Sequence, residues 1–413
     1  MRIFLYELKK LWNWRIIILI AAMGVLTWFA FLGEVLRSYD SLTTHGIYGF
    51  YQTEMFGLYG ETLEPEELAH YDILGKKASL ISEMDEIISN EMVFAQNNIS
   101  NYAQYKEFVE KSYSDNLTEE EEKVISDIIS TMRSKLDYSN SAQSLDEWYA
   151  SPLMRMQTLE ALEHTYIDYK ASLLQYIEHD SRPVVVRAAE RLLEMHNKNL
   201  IRYDLCRSFS GYAAIVGIFT IVAVIILIAP LLITDRMWKI NLMQYSSAIG
   251  RKIFKIQFAV IVVSALVLSI LFIVVMYIIF LASGAGDYWN APIMLLALRD
   301  MQLYNITFGQ YVFILGGMIL ALSLGTACLV FILARFSENI VMMLIKAVPV
   351  GIAVAGITAI SLNMALSENN IVFSTIFNGR FDAPEVMTCG LVAVVGLTVA
   401  AIVCIGEKRV DVA

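Results

Sequence analysis

No Gly-x-x-x-x-Gly-Lys-Ser/Thr phosphate loop occurs anywhere in this 413-residue chain, and Gly75-Lys76-Lys77 lacks both the first glycine and the hydroxyl. Nucleotide binding by that route is excluded. His-Glu-x-x-His, Cys-x-x-Cys and Gly-x-Ser-x-Gly are missing too, which removes the common zinc, dithiol and serine-nucleophile chemistries. The five histidines are scattered. Glu160, His164 and Asp168 share a helical face at i, i+4 spacing and have the side chains of a metal site, but a solvated charged face is the expected reading. His196, on an apolar face, is expected to be a packed core histidine. Of the four cysteines, Cys206 sits at the margin of a long polar stretch and Cys328, Cys389 and Cys404 lie in apolar segments. No disulfide framework is available to the polar stretch, as suits a bacterial exterior.

The long apolar runs hold almost no charge. They are roughly 14–33, 211–233, 256–282, 309–334, 340–364 and 387–406. Each is long enough to cross a bilayer core as a helix, which needs about 20 residues. The chain is 57% hydrophobic with a mean hydropathy of +0.54, and it partitions sharply. Residues 34–207 carry 31 acidic and 16 basic side chains, while the remainder carries 10 and 15. The overall net charge of −10 therefore belongs to one segment and says nothing about nucleic acid. Three regions are expected: 1–33, a short interfacial helix and first span; 34–207, an outer domain; and 208–413, a five-span bundle. The expected fold class is an all-α membrane protein of six transmembrane helices, with an α-helical extracellular domain inserted between spans one and two. The charged start and the run after it also fit a signal peptide, but the run is long and no small-x-small site precedes Glu34, so an uncleaved span is expected.

Basic residues orient the spans. Arg2, Lys9, Lys10 and Arg15 stand at the start, Arg236, Lys239, Arg251, Lys252 and Lys255 lie between spans two and three, Arg335 is in a tight hairpin, and Lys408 and Arg409 follow the last span. Placing these inside leaves only Arg299 and Arg380 in the short outer loops. Both termini are then cytoplasmic and the insert is outside. Lys346, six residues into the fifth span, is placed to snorkel to the inner interface. In residues 1–12, Ile3, Phe4, Leu8, Leu11 and Trp12 can share one helical face, with Glu7, Lys9 and Lys10 away from it. The scarcity of mid-span charge argues against proton- or ion-coupled transport and for energy supplied by another subunit.

The insert carries helical signals throughout: Pro65 at a helix start, the series Leu80, Met84 and Ile87, and the capping sequence Thr118-Glu119-Glu120-Glu121 before a stripe at Ile125, Ile128, Ile129, Met132 and Leu136. A further stripe runs from Leu159 to Tyr176. A helix opened by Pro183, with Ala189, Leu192, His196, Leu200 and Tyr203 on one face, is expected to continue into the second span as a stalk, softened at Ser208-Phe209-Ser210-Gly211.

The most specific segment is the loop 234–255, which mixes apolar and basic residues and exceeds what topology needs. Asp235, Arg236, Trp238, Lys239, Gly250 and Arg251 are its candidate docking residues. The second span ends in Ala229-Pro230-Leu231-Leu232, an acidic residue follows, and a Gly-Arg precedes the third span. In these features, and in the turn Arg335-Phe336-Ser337-Glu338-Asn339, the chain resembles permease subunits of type-2 ABC exporters. That family usually has Glu where Asp235 stands. Members with a large outer domain between spans one and two include antibiotic-resistance and antimicrobial-peptide export permeases, and Tyr59-Gly60-Glu61-Thr62-Leu63 is similar to the start of such domains. The resemblance implies a non-catalytic bacterial plasma-membrane subunit that pairs with a second permease, identical or related, and exports a peptide or other amphipathic compound. It also implies a separate ABC ATPase, carrying ATP and magnesium, docked on the loop. The competing expectation is a membrane sensor or envelope-assembly protein whose outer domain binds a ligand or partner.

Overall fold

The computed structural model describes residues 2–45, 49–112, 119–237, 250–297, 300–337 and 339–406. Among these, helix dominates, and the extended structure is two pairs of two-residue strands and two isolated bridges. Six helices are long and apolar enough to cross a membrane: Trp14–Tyr39, Asp204–Leu231, Ile253–Leu281, Phe308–Arg335, Val341–Leu362 and Pro384–Gly406, the first to sixth spans. The protein is an all-α, multi-pass membrane protein.

Local chemistry sets the helix ends. Asn13 caps the first span by accepting from the Arg15 N–H at 3.1 Å, and Asn339 caps the fifth by accepting from the Met342 N–H at 2.9 Å. Thr307 opens the fourth with a reciprocal box: its hydroxyl accepts from the Gln310 N–H, and the Gln310 side chain accepts from the Thr307 N–H. The first span does not stop at the apolar boundary. It widens into a π-helical turn at Trp28–Leu32 and continues as helix Gly33–His45.

The second and fourth spans form the centre, with 67% and 61% of their apolar windows buried, while the first, fifth and sixth are largely exposed, with only 17%, 22% and 28% buried. The fourth and sixth meet at glycines. A methyl group on Gly325 would lie 2.8 Å from the Val392 carbonyl oxygen, and one on Gly396 would lie 3.0 Å from the Gly325 Cα. Only glycine at both positions allows this approach, a common device where apolar attraction between helices is absent.

The amphipathic start is a helix, Arg2–Leu11, packed on the beginning of the third span. Leu11 is buried, and the Trp12 indole N–H donates to the Ser264 hydroxyl at 3.0 Å. Glu7 departs from expectation. It is buried rather than turned away, and it accepts from the Gln257 amide at 3.1 Å with the Lys10 ammonium 3.6 Å away. A buried carboxylate with a hydrogen-bond donor and a cation can sit against the bundle, which a face drawn from hydropathy alone misses.

The insert is a helical assembly from Gly49–Tyr59 to Pro183–Glu194. Leu80, Met84, Ile88, Ile128, Leu136, Leu159, Leu162 and Tyr166 fill its centre, and this core is continuous with Phe209, Tyr212, Phe280 and Phe308 of the spans. The insert therefore shares its hydrophobic core with one end of the bundle. A second contact places Leu173, Val185, Ala189 and Leu192 against Met294, Leu296 and Met301 of the segment between the third and fourth spans.

The proposed stalk is corrected. The helix opened by Pro183 ends at Glu194, and strand Lys198–Asn199 pairs antiparallel with Thr62–Leu63. Helix resumes at Tyr203 and runs unbroken to Met237, so Ser208 to Gly211 lie inside regular helix. His196 falls in the break and is exposed, not packed. Helical periodicity placed it on the apolar face, but the helix ends two residues before it.

Candidate functional site

Of the six candidate docking residues, Asp235 and Arg236 fall in the last turn of helix Tyr203–Met237, and Gly250 and Arg251 begin helix Gly250–Leu281. Trp238 and Lys239 lie outside the described residues. The same end of the molecule holds the hairpin cation Arg335, whose guanidinium lies 5.9 Å from the Phe254 ring. It also holds Lys346, whose ammonium donates to the Phe336 carbonyl at 2.8 Å and so reaches back towards the hairpin. The N-terminal helix packs here as well. This end is basic, and its folded parts leave the ends of the second and third spans as the bounds of the loop.

The opposite end holds a buried polar junction between insert and bundle. Two backbone bridges build its floor: the Leu303 N–H donates to the Leu366 carbonyl at 3.1 Å, and the Glu368 N–H donates to the Met301 carbonyl at 3.0 Å. The Leu366 N–H donates to the buried Glu385 carboxylate at 2.7 Å. From the insert, Arg182 reaches over. Its guanidinium donates to Asp180 at 2.6 and 3.0 Å and to the Glu368 carbonyl at 3.1 Å. The Tyr176 hydroxyl donates to Glu368 Oε1 at 2.7 Å. Glu368 Oε2 lies 3.7 Å from Arg182 Nη2, beyond hydrogen-bond range, and has no hydrogen-bond partner. Asp300 accepts from the Ser367 hydroxyl and, at 3.1 Å, from the Asn369 amide.

Asp180 and Glu368 thus flank the Arg182 guanidinium, with Asp300 acting on Glu368, and the electrostatics follow. Burial pushes the Glu368 carboxyl up to about 6, with Asp300 and Asp180 adding to the rise against Tyr176 and Arg182. Burial also pushes the Asp180 carboxyl up, but hydrogen bonds from Arg182 outweigh it and hold that group below the ordinary range. The hydrogen bond to Asp180 raises Arg182. Burial, then the hydrogen bond to Glu368, raises the Tyr176 phenol. A small cavity of about 40 Å³ adjoins the cluster, lined by Arg182, Tyr304, Glu368, Phe373, Phe381 and Glu385.

Between this junction and the second span lies a buried ion pair. Arg202, 1% exposed, donates from Nε to Asp204 at 2.8 Å and from Nη2 to the other oxygen of that carboxylate. Its guanidinium lies 4.5 Å from the Tyr39 ring, at the far end of the first span. Arg202 Nη1 and the Tyr39 hydroxyl have no hydrogen-bond partner. Held by Asp204, the guanidinium joins the beginning of the second span to the end of the first through its contact with the Tyr39 ring.

A larger cleft, about 510 Å³, opens in the insert beside the short strand pair. Tyr166, Tyr169, Met195 and Leu193 form part of its wall, with Glu194 and Lys198 among its charged groups. Glu160, His164 and Asp168 do not gather there or elsewhere, and no group of three potential ligands forms a metal site among the described residues. The sequence did not single out Arg182, Glu368, Arg202 or Asp204. The signals it offered were local: Asp180-x-Arg182-Pro183 just before a helix, and Arg202-x-Asp204 at the mouth of an apolar run. No protein-family model, curated protein or solved structure matches this chain.

Proposed function

We propose that the chain is the permease subunit of an ATP-driven exporter of the type-2 ABC class, set in a bacterial plasma membrane with both termini cytoplasmic and the insert outside. The observation that carries this reading is the unbroken helix Tyr203–Met237. At about 1.5 Å per residue its 35 residues measure roughly 50 Å, well beyond a ~30 Å hydrocarbon core. It leads from Asp235 and Arg236 at the basic end to the Arg202–Asp204 clamp beneath the insert. On this reading a push on the loop at one end travels along this helix, past its internal Pro230, to the base of the insert at the other.

In this reading a separate ATPase, holding ATP and magnesium, docks on the loop bounded by Asp235 and Arg251. A second permease completes the pathway. Closure of the ATPase pair tilts the second span and moves the insert through the shared core. The chain itself hydrolyses nothing. The exported compound is a peptide or another amphipathic molecule. The insert, with 31 acidic against 16 basic residues, favours a cationic one through its long-range field.

The 510 Å³ cleft in the insert favours a second reading, a ligand-binding sensor or envelope-assembly protein whose spans only transmit the signal. Purification of the tagged chain from native membranes in mild detergent separates the two. The exporter reading expects a stoichiometric ATP-binding protein in the eluate, lost on D235A/R236A substitution while the permease itself stays folded. An eluate without such a protein refutes it and leaves the sensor reading.

A further inference from the structure

We propose that Glu368 is a proton-binding group that sets how firmly the insert closes on its end of the bundle. The geometry favours a proton at this place. Glu368 is 7% exposed and lines the small cavity; its Oε1 accepts from Tyr176, and its Oε2 is buried with no hydrogen-bond partner. An ionised carboxylate buried with one bare oxygen is costly, and protonation of Oε2 removes the unpaired charge where it stands. Arg182 cannot serve as the full counter-ion, because Asp180 already holds its Nε and Nη2.

The groups that face Glu368 come from every side of the junction. Tyr176, Asp180 and Arg182 belong to the insert, Asp300 to the segment before the fourth span, and Glu385 to the first turn of the sixth. The exposed pair Arg187–Asp382, 2.7 Å apart, also joins the insert to the segment before the sixth span. Arg299 lies outside the described residues. Asp180, Glu368 and Asp300 against the single cation Arg182 leave the cluster with an excess of negative charge, which one proton lessens.

The direction follows from linkage. In an opened junction Glu368 meets water and titrates near the ordinary 4.5, and in the closed one it titrates near 6. The closed form binds the proton more tightly, so acid favours closure. The gain is complete below about 4.5 and is lost as pH rises through about 6. The difference corresponds to a change of about 30-fold in the closed-to-open ratio. This linkage uses only the junction and does not depend on the exporter reading.

The test uses the full chain in lipid nanodiscs, with spin labels at Leu174→Cys on the insert and Thr375→Cys on the bundle. Both native side chains are exposed, and the four native cysteines are buried. Pulsed electron resonance reads the distance distribution from pH 4 to pH 8. The expected result is a short-distance population that grows about 30-fold relative to the long one as pH falls through the window. Glu368→Gln is expected to hold the short distance at every pH. Asp300→Asn, which keeps acceptors for Ser367 and Asn369 but removes a neighbouring charge, is expected to move the midpoint to lower pH. A distance that does not respond to pH, or a wild-type transition retained in E368Q, overturns the proposal. Should E368Q fail to fold, an unmoved midpoint in D300N overturns it equally.

Discussion

Replacing Arg202 by Met tests the clamp beneath the insert. Arg202 and Asp204 are 1% and 9% exposed, and two hydrogen bonds join them. Removing the guanidinium leaves the Asp204 carboxylate buried without a counter-charge. Breaking one side of such a pair costs about 3–5 kcal/mol. Loss of the cation–π contact with Tyr39 adds about 0.5–2 kcal/mol to the local loss. The double variant Arg202→Met with Asp204→Leu is different in kind. It removes both charges and also the unpartnered Arg202 Nη1, and apolar replacement of a whole buried pair is often neutral or better. The expected result is a single variant about 3.5–7 kcal/mol less stable than wild type and a double variant, which loses only the cation–π contact, within about 2 kcal/mol of it. Unfolding by denaturing detergent in mixed micelles, followed by intrinsic fluorescence, reads both. A single variant that loses less than about 1 kcal/mol, or a double variant as damaged as the single, refutes the assignment of a charge-paired clamp.

Three further substitutions are read by the same titration. Gly325→Val forces a branched side chain against the Val392 backbone between the fourth and sixth spans, and it is expected to cost at least the ~1–3 kcal/mol of overpacking. Thr307→Val removes the hydroxyl that caps the fourth span and is expected to cost about 1 kcal/mol. Arg187→Ala breaks the exposed pair with Asp382 and is expected to change stability by less than about 1 kcal/mol, although it too joins insert to bundle.

The six spans and the helical insert were legible because hydropathy over 20 or more residues and helical period are local properties of the chain. The capped starts at Pro65 and the stripe through Ile128 and Leu136 were legible for the same reason. What failed was continuity across short breaks. Leu200 and Tyr203 sit at helical spacing from Leu192, yet backbone pairing between Lys198–Asn199 and Thr62–Leu63 interrupts the helix and leaves His196 in solvent. That pairing joins residues more than 130 positions apart, and no local window contains it. Glu7 was misplaced likewise, since its partner Gln257 is 250 positions away. The junction was invisible for the strongest form of this reason. Tyr176 and Arg182, Asp300 and Glu368 come from three separate segments, and each alone reads as an ordinary surface group. The docking residues remain a sequence-based assignment, with the ends of their loop fixed by the helices ending at Met237 and starting at Gly250.

The account stands or falls on an ATPase at the basic end, and photo-cross-linking in native membranes tests this most directly. A benzophenone amino acid placed at Lys239 is expected to form an adduct with an ATP-binding protein, while the same probe at the exposed Lys170 of the insert is expected to form none with it. No adduct from Lys239, or the adduct from Lys170 instead, would contradict the account.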